Sequence, residues 1–444
     1  MITNIRNLVL SATVLFLCLP LPVRAAQPLT MEESISIALK NSLVINIARE
    51  GTKGAQARRR EAFTGFLPKL STTYSYTRLN EEPNFFFSGF PPLIPAGTMV
   101  TGTINNYNWV VEARQPLFAG GGILYNYQAN QIAENASRVE ETARSQDVIQ
   151  DVQIAYFNIL RAGRLRDAAR QSVGMLAAHR DVAENFYRVG LMPKNDLLQS
   201  EVELANGRQT LIKAQNAVEL AKSRFNTVLK RELLSPAEVV DILDYKPINQ
   251  SFEDCLDIAR RERPELRISG LKAEQAGRMV RVAQSEYFPS VNLVGQYARF
   301  GDTPALSGTE FKESESWQVM AVASWNFWEW GKTKYRVAAG RALENQALDQ
   351  TRELNDQIAL EIKNAYLVLQ EAESQIAVSQ KVIDQAEENF RIAEARYKER
   401  VARSTEVIDA QTLLTRAKSE YANALADYNI AFIRLQRAMG VIGR

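Results

Sequence analysis

Residues 121–188 decide the fold, and they read GGILYNYQANQIAENASRVEETARSQDVIQDVQIAYFNILRAGRLRDAARQSVGMLAAHRDVAENFYR. The stretch contains no proline, and its apolar residues recur at alternating steps of three and four, with one phase shift. These positions are Ala129, Ile132, Ala136, Val139, Ala143, Val148, Val152, Ala155, Ile159 and Ala162. The spacing predicts a long helix with a coiled-coil seam, and its many alanines predict closely spaced neighbours. At ~1.5 Å per residue the helix is a rod of about 100 Å, too long for a compact globule of this size.

The rest of the chain repeats this organisation. Identical residues recur 221 positions apart between Glu32 and Arg78, and 210 positions apart from Gly121 onward, so that residues 331–399 repeat the long-helix pattern. The first half therefore carries eleven extra residues. They fall in the stretch 83–102, which is rich in proline, glycine and phenylalanine and is predicted to be an exposed loop.

The duplication predicts two structural repeats, residues 26–245 and residues 246–444. Each repeat reads as a helix, two strands, a long helix, a turn and a final helix. The β-hairpins are expected within 68–118 and 289–328. The first helices of the two repeats start alike, with the capping-box pairs Thr30 with Glu33 and Ser251 with Asp254.

Composition excludes several classes of protein. The chain has 444 residues, 53 basic and 51 acidic side chains and a formal charge of +2, so its overall charge gives no argument for nucleic acid as a partner. His179 is the only histidine. Zinc sites and histidine relays that need several histidines or cysteines cannot be assembled, and no phosphate-binding glycine loop is present. We therefore expect neither an enzyme nor a bound cofactor or metal.

The N-terminus predicts export from the cytoplasm. Arg6 precedes an apolar run, and Ala25 supplies the small residue at a signal-peptidase site, so residues 1–25 read as a secretory signal. Leu17, rather than a small residue, precedes Cys18, which argues against lipid attachment there. Cys255 is then the only cysteine of the mature chain, which excludes an intramolecular disulfide. No later stretch has the ~20 uninterrupted apolar residues of a membrane-spanning helix.

Four segments alternate with a period of two, as strands do. On one side they place larger or more apolar residues, and on the other side mostly polar ones. The first set is Leu70, Thr72, Tyr74, Tyr76, Tyr107, Trp109, Val111, Ala113, Val291, Leu293, Gly295, Tyr297, Trp317, Val319, Ala321, Ala323, Trp325 and Phe327. This pattern fits strands with lipid outside and water inside. A soluble antiparallel sheet over a layer of helices fits the strands equally well.

The setting of the strands favours the membrane interpretation. The chain has a secretory signal, no spanning helix, and rods far longer than a four-stranded sheet could cover. A sheet in lipid must close on itself, and four strands are too few because the smallest barrels need about eight. Several copies must therefore share one barrel.

Short motifs that occur in order and in duplicate resemble the TolC-type outer-membrane efflux proteins over essentially the whole mature chain. The segments that carry the resemblance are Leu29-Thr30-Met31-Glu32-Glu33, Gly65-Phe66-Leu67-Pro68-Lys69-Leu70, Gln115-Pro116-Leu117-Phe118-Ala119-Gly120-Gly121, Tyr187-Arg188-Val189-Gly190-Leu191 and Val407-Ile408-Asp409-Ala410-Gln411. The resemblance implies a mainly α-helical protein with a membrane β-barrel, built as a homotrimer whose protomers each give four strands to one 12-stranded barrel. It also implies a long α-helical barrel across the periplasm, a periplasmic adaptor and an inner-membrane pump.

The same resemblance assigns roles to the two helix-to-helix turns, residues 189–195 and residues 399–405. In the family these turns form the closed periplasmic end and the contact with the adaptor. The first turn matches the family pattern and the second departs from it, because Arg400 stands where the family often has glycine. The residues implied in adaptor contact are Val189, Gly190, Leu191, Arg400 and Arg403.

Glu406 and Asp409 fall where the resemblance implies acidic rings at the narrow end of the tunnel. Spaced by three residues, they share a helix face, so three copies would point six carboxylates inward. For Glu406 an equally good explanation is that acidic residues are favoured in the first turn of a helix. Tyr187 and Tyr397, at matched positions before the turns, are implied in closing the gate.

The function implied is a passive export channel in the outer membrane, for efflux or for type I secretion. The alternative is a soluble periplasmic coiled-coil adaptor or scaffold, which would remain in the periplasmic extract rather than fractionate with the outer membrane. The sequence does not identify the transported substrate.

Overall fold

The computed structural model describes residues 28–443, and within this range the chain forms eight helices and six strands. The signal peptide predicted for residues 1–25, with Cys18, lies outside the described residues. The helices are Met31–Asn41 (α1), Leu43–Thr64 (α2), Gly122–Arg188 (α3), Lys194–Val228 (α4), Phe252–Glu262 (α5), Pro264–Ser285 (α6), Lys332–Lys398 (α7) and Ser404–Met439 (α8). The strands are Lys69–Arg78 (β1), Asn84–Phe87 (β2), Gly97–Val100 (β3), Asn105–Ala119 (β4), Ser290–Gly301 (β5) and Glu315–Ser324 (β6). The mainly helical architecture confirms the predicted fold class.

Helices α3 and α7 are the long rods, and each is 67 residues long. Helix α3 packs against α2 and α6, which adjoin the strands, and against α4 and α8, which extend from the opposite turns. Helix α7 packs against α6 and α8. The chain is therefore a wall of helices with a sheet at one end and two turns at the other, which we call the tip. None of the helices within residues 28–443 combines the length and apolar character that crossing a membrane requires.

The two predicted capping boxes are present. In the first, the Glu33 amide donates to Thr30 Oγ1 at 3.2 Å, and the Thr30 amide donates to the Glu33 carboxylate at 3.0 Å. In the second, the Asp254 amide donates to Ser251 Oγ at 3.1 Å, and the Ser251 amide donates to the Asp254 carboxylate at 3.2 Å. Each box satisfies amides that have no partner within the first helical turn.

The main hydrophobic core lies midway along the rods, where helices α1 and α5 and the segment 229–251 cover them. Tyr156 and Phe225 are fully buried there, and their rings meet edge to face with centroids 6.1 Å apart. The Tyr156 hydroxyl lies 2.8 Å from the Val240 carbonyl, and the Tyr428 hydroxyl donates to the Lys246 carbonyl at 2.7 Å. These buried hydroxyls hold the non-helical segment against the rods.

The four predicted strands form one antiparallel sheet in the order β1-β4-β5-β6. The stretch 83–102, predicted to be a loop, instead contains a separate two-stranded sheet of β2 and β3. Each of these strands has only four residues, and prolines and glycines surround them, so the period-two signal is too short to stand out from the turn residues.

Candidate functional site

The register of the sheet gives it one apolar face, because residues directly opposite each other on antiparallel strands share a face. Leu70 pairs with Ala113, Ala113 with Gly295, and Gly295 with Val319. The other residues of this face are Thr72, Tyr74, Tyr76, Arg78, Asn105, Tyr107, Trp109, Val111, Gln115, Val291, Leu293, Tyr297, Arg299, Gly301, Glu315, Trp317, Ala321 and Ala323. Its charged members, Arg78, Arg299 and Glu315, all lie towards the end of the strands remote from the helices. The alternation predicted from each segment separately therefore lines up across all four strands.

The opposite face is mostly polar and is joined by hydrogen bonds across three strands. Gln318 donates to Gln296 at 2.7 Å, Gln296 donates to Glu112 at 3.2 Å, and Arg114 pairs with Glu112 at 2.9 Å. The further polar members are Lys69, Ser71, Thr73, Ser75, Thr77, Asn106, Asn108, Asn292 and Ser316, with Val110, Val294, Ala298, Phe300, Met320 and Val322 between them. A sheet with these two faces can separate hydrocarbon from water.

Aromatic side chains mark both ends of the strands. Tyr76 stacks on Tyr107 with ring centroids 4.6 Å apart at the end remote from the helices. Next to the helices, a second group of exposed aromatics consists of Phe66, Phe118, Tyr287, Phe288, Trp325, Phe327, Trp328 and Trp330. Tyrosine and tryptophan favour the two interfaces of a bilayer, where the ring is buried and the polar atom stays wet.

At the tip, the turns after α3 and α7 have the same geometry. Gly190 has φ +74°; its amide donates to the Tyr187 carbonyl at 2.9 Å, and the next amide donates to the Phe186 carbonyl at 2.8 Å. Arg400 has φ +67°, and the corresponding bonds to Tyr397 and Arg396 are 3.0 and 2.9 Å. Both turns are Schellman motifs, which terminate a helix through a left-handed residue. The second turn keeps this geometry although arginine replaces the glycine that suits it.

We predict that Arg400 carries a backbone cost that glycine would remove. A residue with a Cβ atom pays about 1–2 kcal/mol to adopt the left-handed conformation, and glycine does not pay this cost. Glycine loses more conformational entropy on folding, however, and this loss offsets part of the gain. Arg400→Gly should therefore close the turn more firmly than Arg400→Ala by about 1 kcal/mol, or roughly fivefold in amide protection. Hydrogen exchange of residues 396–406 measures this difference. Both variants lose the guanidinium, which lies 5.9 Å from the Phe186 ring centroid, so the comparison isolates the backbone. Equal amide protection in Arg400→Gly and Arg400→Ala would show that the left-handed conformation of residue 400 carries no backbone cost.

Tyr397 and Tyr187, matched in sequence, occupy different environments. Tyr397 is 1% exposed, and its ring packs against His179 and Phe186 with centroids 4.7 and 5.8 Å away. Tyr187 is 41% exposed. His179 Nε2 lies 2.8 Å from the hydroxyl oxygen of Ser404, the first residue of α8. The cluster Tyr397, His179 and Ser404 thus ties α3 to both sides of the second turn. The 210-residue repeat identified the two tyrosines, but no feature of the sequence paired His179 with Ser404.

We predict that His179 makes the protein less stable in mild acid. Burial lowers the pKa of His179 from its usual 6.5, and the carboxylates of Glu394 and Asp196 only partly oppose this. Unfolding therefore takes up a proton below pH ~6.5, and stability falls as pH drops from there towards the lowered pKa, by at most about 1.4 kcal/mol per pH unit. Thermal unfolding between pH 7.5 and 5.5 should show a steeper loss for the wild type than for His179→Gln. Parallel curves would contradict this role of His179.

The two predicted acidic residues are both exposed at the start of α8, but they have different partners. Glu406 accepts from the Arg403 amide at 3.4 Å and pairs with Arg396 at 3.2 Å. Its carboxylate thus caps the helix, which supports the first-turn explanation. Asp409 makes no hydrogen bond or ion pair with any residue from 28 to 443, so its charge is free to act on solvent and ions.

The predicted adaptor-contact residues lie on the exposed surface of the tip. Three large apolar side chains are exposed to solvent there: Val189, Leu191 and Val401. Arg400 and Arg403 are exposed beside them. Val401 was not among the residues predicted from the sequence, although the 210-residue offset aligns it with Leu191. Within the described part of the chain, no cluster of histidine, cysteine, aspartate or glutamate side chains could hold a metal ion.

Comparison with known proteins agrees with this geometry. The family model described as "Outer membrane efflux protein" matches residues 34–229 and 255–441. The outer membrane protein TolC of Escherichia coli is 22% identical over 331 residues, which cover 71% of this chain and 66% of TolC, just under two thirds of its length. The toluene efflux pump outer membrane protein TtgF of Pseudomonas putida is 21% identical over 414 residues, covering 92% of this chain and 83% of TtgF. The structure of the outer membrane protein VceC from Vibrio cholerae superimposes with a TM-score of 0.76 at 17% identity, over 92% of this chain and 96% of VceC. The chain belongs to the outer membrane efflux protein family.

Proposed function

We propose that this protein is a trimeric outer-membrane channel that passively conducts substrates delivered by an inner-membrane pump through a periplasmic adaptor. One observation carries the proposal: a four-stranded sheet with one apolar and one polar face continues into helical rods about 100 Å long. The sheet supplies a wall between lipid and water, and the rods supply a tunnel that reaches into the periplasm. Residues 26–245 and 246–444 then form the two repeats of each protomer, and residues 1–25 direct export.

The free edges of the protomer support a trimer. Within residues 28–443, strands β1 and β6 each have one neighbour in the sheet, so both present unpaired backbone groups at an edge. Exposed apolar side chains also lie on α4 and α7, and they include Val202, Ile212, Leu220, Leu360, Leu367 and Val378. Pairing β1 of one protomer with β6 of the next would close a 12-stranded barrel and bury these helical surfaces.

The tip supplies the gate and the adaptor contact in this proposal. Three copies of Asp409 form the acidic ring, and Glu406 contributes less because Arg396 pairs with it. Tyr187 is exposed and available for packing between protomers, whereas Tyr397 acts by fixing the second turn from within its own protomer. The exposed turns around Gly190 and Arg400 are the surface on which an adaptor would dock.

Removing the Asp409 carboxylate should weaken the preference of the channel for cations. In planar bilayers, we expect Asp409→Ala to lower cation selectivity and to reduce block by multivalent cations, because three inward charges disappear at the narrowest point. The matched control is Glu406→Gln on the same turn, which keeps a side chain able to accept the capping hydrogen bond. It should reduce block by multivalent cations less than Asp409→Ala does. Unchanged block in Asp409→Ala would exclude the acidic ring, and the absence of any conductance in the wild type would contradict the channel itself.

A further inference from the structure

The hairpin formed by residues 83–104 is unusually apolar for an exposed segment. It contains β2 and β3 at the end of the sheet remote from the helices, and the chain carries no charged residue from Pro83 to Val111. Its exposed large apolar side chains are Phe85, Phe86, Phe87, Phe90, Leu93, Ile94, Met99 and Val100. A cluster of this size on a protein surface indicates an interaction site.

Both faces of the β2–β3 ladder carry phenylalanine. Phe85 pairs with Met99 on one face, and Phe86 pairs with Thr98 on the other. The side chains of both phenylalanines are more than 60% exposed, at 62% and 65%. A hairpin that packs on a protein and faces water on its other side alternates apolar and polar residues. Here one face carries Phe85, Phe87, Met99 and Gly97, and the other carries Phe86 and Val100 with Asn84 and Thr98. Because phenylalanine lies on both faces, the composition fits an apolar medium rather than one protein surface.

The equivalent connection in the second half of the chain is different. The loop between β5 and β6 carries Asp302, Glu310, Lys312 and Glu313, with Phe311 as its exposed large apolar residue. The two connections leave the same end of the same sheet. The β1–β4 connection carries two charges of its own, Glu81 and Glu82, but both precede the hairpin. The lack of charge is therefore a property of residues 83–104 and not of that end of the protein.

The hairpin is continuous with the apolar face of the sheet. The Leu79 amide donates to the Ile104 carbonyl at 2.8 Å, and the Thr101 amide donates to the Pro83 carbonyl at 2.7 Å, which extends the β1–β4 ladder into the hairpin. The last pair of aromatics before it is Tyr76 with Tyr107. The next pair on this face is Arg78 with Asn105. The surface assigned to lipid is therefore joined to the phenylalanine cluster through one polar pair, at the depth where lipid headgroups lie.

We propose that residues 83–104 form a lipid anchor that lies on the outer surface of the membrane and inserts its phenylalanines among the acyl chains. The hairpin stays at headgroup depth, because the outer edges of a two-stranded ladder leave backbone groups that need water or headgroup partners. This inference rests on the proposed membrane location of the sheet and goes beyond channel function. It adds a contact with lipid outside the barrel wall.

The test measures the environment of a fluorophore at Phe86. Phe86→Cys is labelled with the polarity-sensitive dye NBD in the full mature chain, reconstituted in phosphatidylcholine vesicles with or without doxyl-labelled lipid. Phe90→Cys provides a second reporter in the hairpin. Phe311→Cys is the matched control in the charged loop, and Leu70→Cys, 72% exposed on β1, reports on the membrane wall. Cys255 is buried and burial raises its thiol pKa, so the unsubstituted chain serves as the unlabelled blank.

We expect doxyl lipid to quench NBD at Phe86 and Phe90 about twofold or more above its quenching at Phe311, while aqueous iodide shows the reverse order. Iodide quenching at Phe86 equal to that at Phe311 would show a solvated loop and overturn the anchor. Protection at Phe86 from both quenchers would show packing between hairpins of neighbouring copies and would also overturn it. Failure of doxyl lipid to quench at Leu70 would instead contradict the membrane location of the sheet, which keeps the two failures distinguishable.

Discussion

Replacing Arg437 with methionine is expected to lower the free energy of unfolding by about 2–3 kcal/mol, because it removes the central cation from a partly buried network of charges. The loss is limited because Arg263 still pairs with Glu265 and Arg144 still pairs with Asp147. The Arg437 side chain is 10% exposed, and its guanidinium lies 2.6 Å from both Asp147 and Glu265. These partners belong to α3 and α6, while Arg437 is on α8. The substitution leaves two partly buried carboxylates that face each other without their shared cation.

The surrounding contacts show why this network is sensitive. Arg263, 9% exposed, pairs with Glu265 at 3.2 Å and with Glu361 of α7 at 2.7 Å, so four helices meet here. Burial acts to raise the pKa of Glu265, but the hydrogen bond and charge of Arg437, with the charge of Arg263, hold that pKa below its usual value. The carboxylate is therefore ionised at neutral pH and depends on its arginines.

Thermal unfolding followed by circular dichroism, at fixed protein and detergent concentrations, measures the effect. The matched control on the same helix is Arg416→Met, whose side chain is 75% exposed and pairs with Glu420. An exposed pair of this kind contributes at most about 0.5 kcal/mol, so the control should unfold almost like the wild type. Equal losses in the two variants would show that the Arg437 network does not join the helices as described.

Under the proposed function, replacing Gly190 with isoleucine is expected to lower resistance to a toxic compound that the pump exports, without lowering the amount of the proposed trimer in the outer membrane. Gly190 has φ +74°, and a β-branched residue is strongly disfavoured in that conformation. The space around it is open and the turn is exposed, so the protomer core is not disturbed. The change should distort the turn to which we assign adaptor docking and leave the rest of the protein intact.

Resistance is compared in a strain that lacks the gene and carries either variant, with trimer abundance measured by immunoblot of outer-membrane fractions. Gly174→Ile is the matched control, because Gly174 is exposed on α3, the helix that leads into this turn, has open space around it and has no positive φ. It should retain resistance. Full resistance with Gly190→Ile would mean that this turn is not the docking site, and a loss of trimer would mean that the turn acts in assembly.

Period and repetition made the long helices and the two-faced strands predictable. The apolar residues of α3 recur at alternating spacings of three and four, as a long packed helix requires. The alternation of apolar and polar residues in β1 and β4 agrees with the register of the two strands. The local geometry of the tip was harder to predict from the sequence. Arg400 adopts the conformation of Gly190 because two backbone hydrogen bonds close the turn regardless of the side chain, and this compensation has no sequence signal.

The environments of Tyr187 and Tyr397 also could not be read from their matched positions. Tyr397 is buried because His179 and Phe186 of α3 pack over it, and such a contact depends on which helices become neighbours. The short strands β2 and β3 were hidden for a different reason, since four residues give too little alternation among so many turn-forming residues.

The central claim is that protomers pool their four strands into one pore, and the stoichiometry of the purified mature chain tests it most directly. Light scattering with subtraction of the detergent mass should give three copies per particle, and the particles should aggregate when detergent is withdrawn. A folded single chain that stays dispersed in plain buffer would contradict the claim, because a lone sheet with one apolar face could not then be the wall of a shared channel.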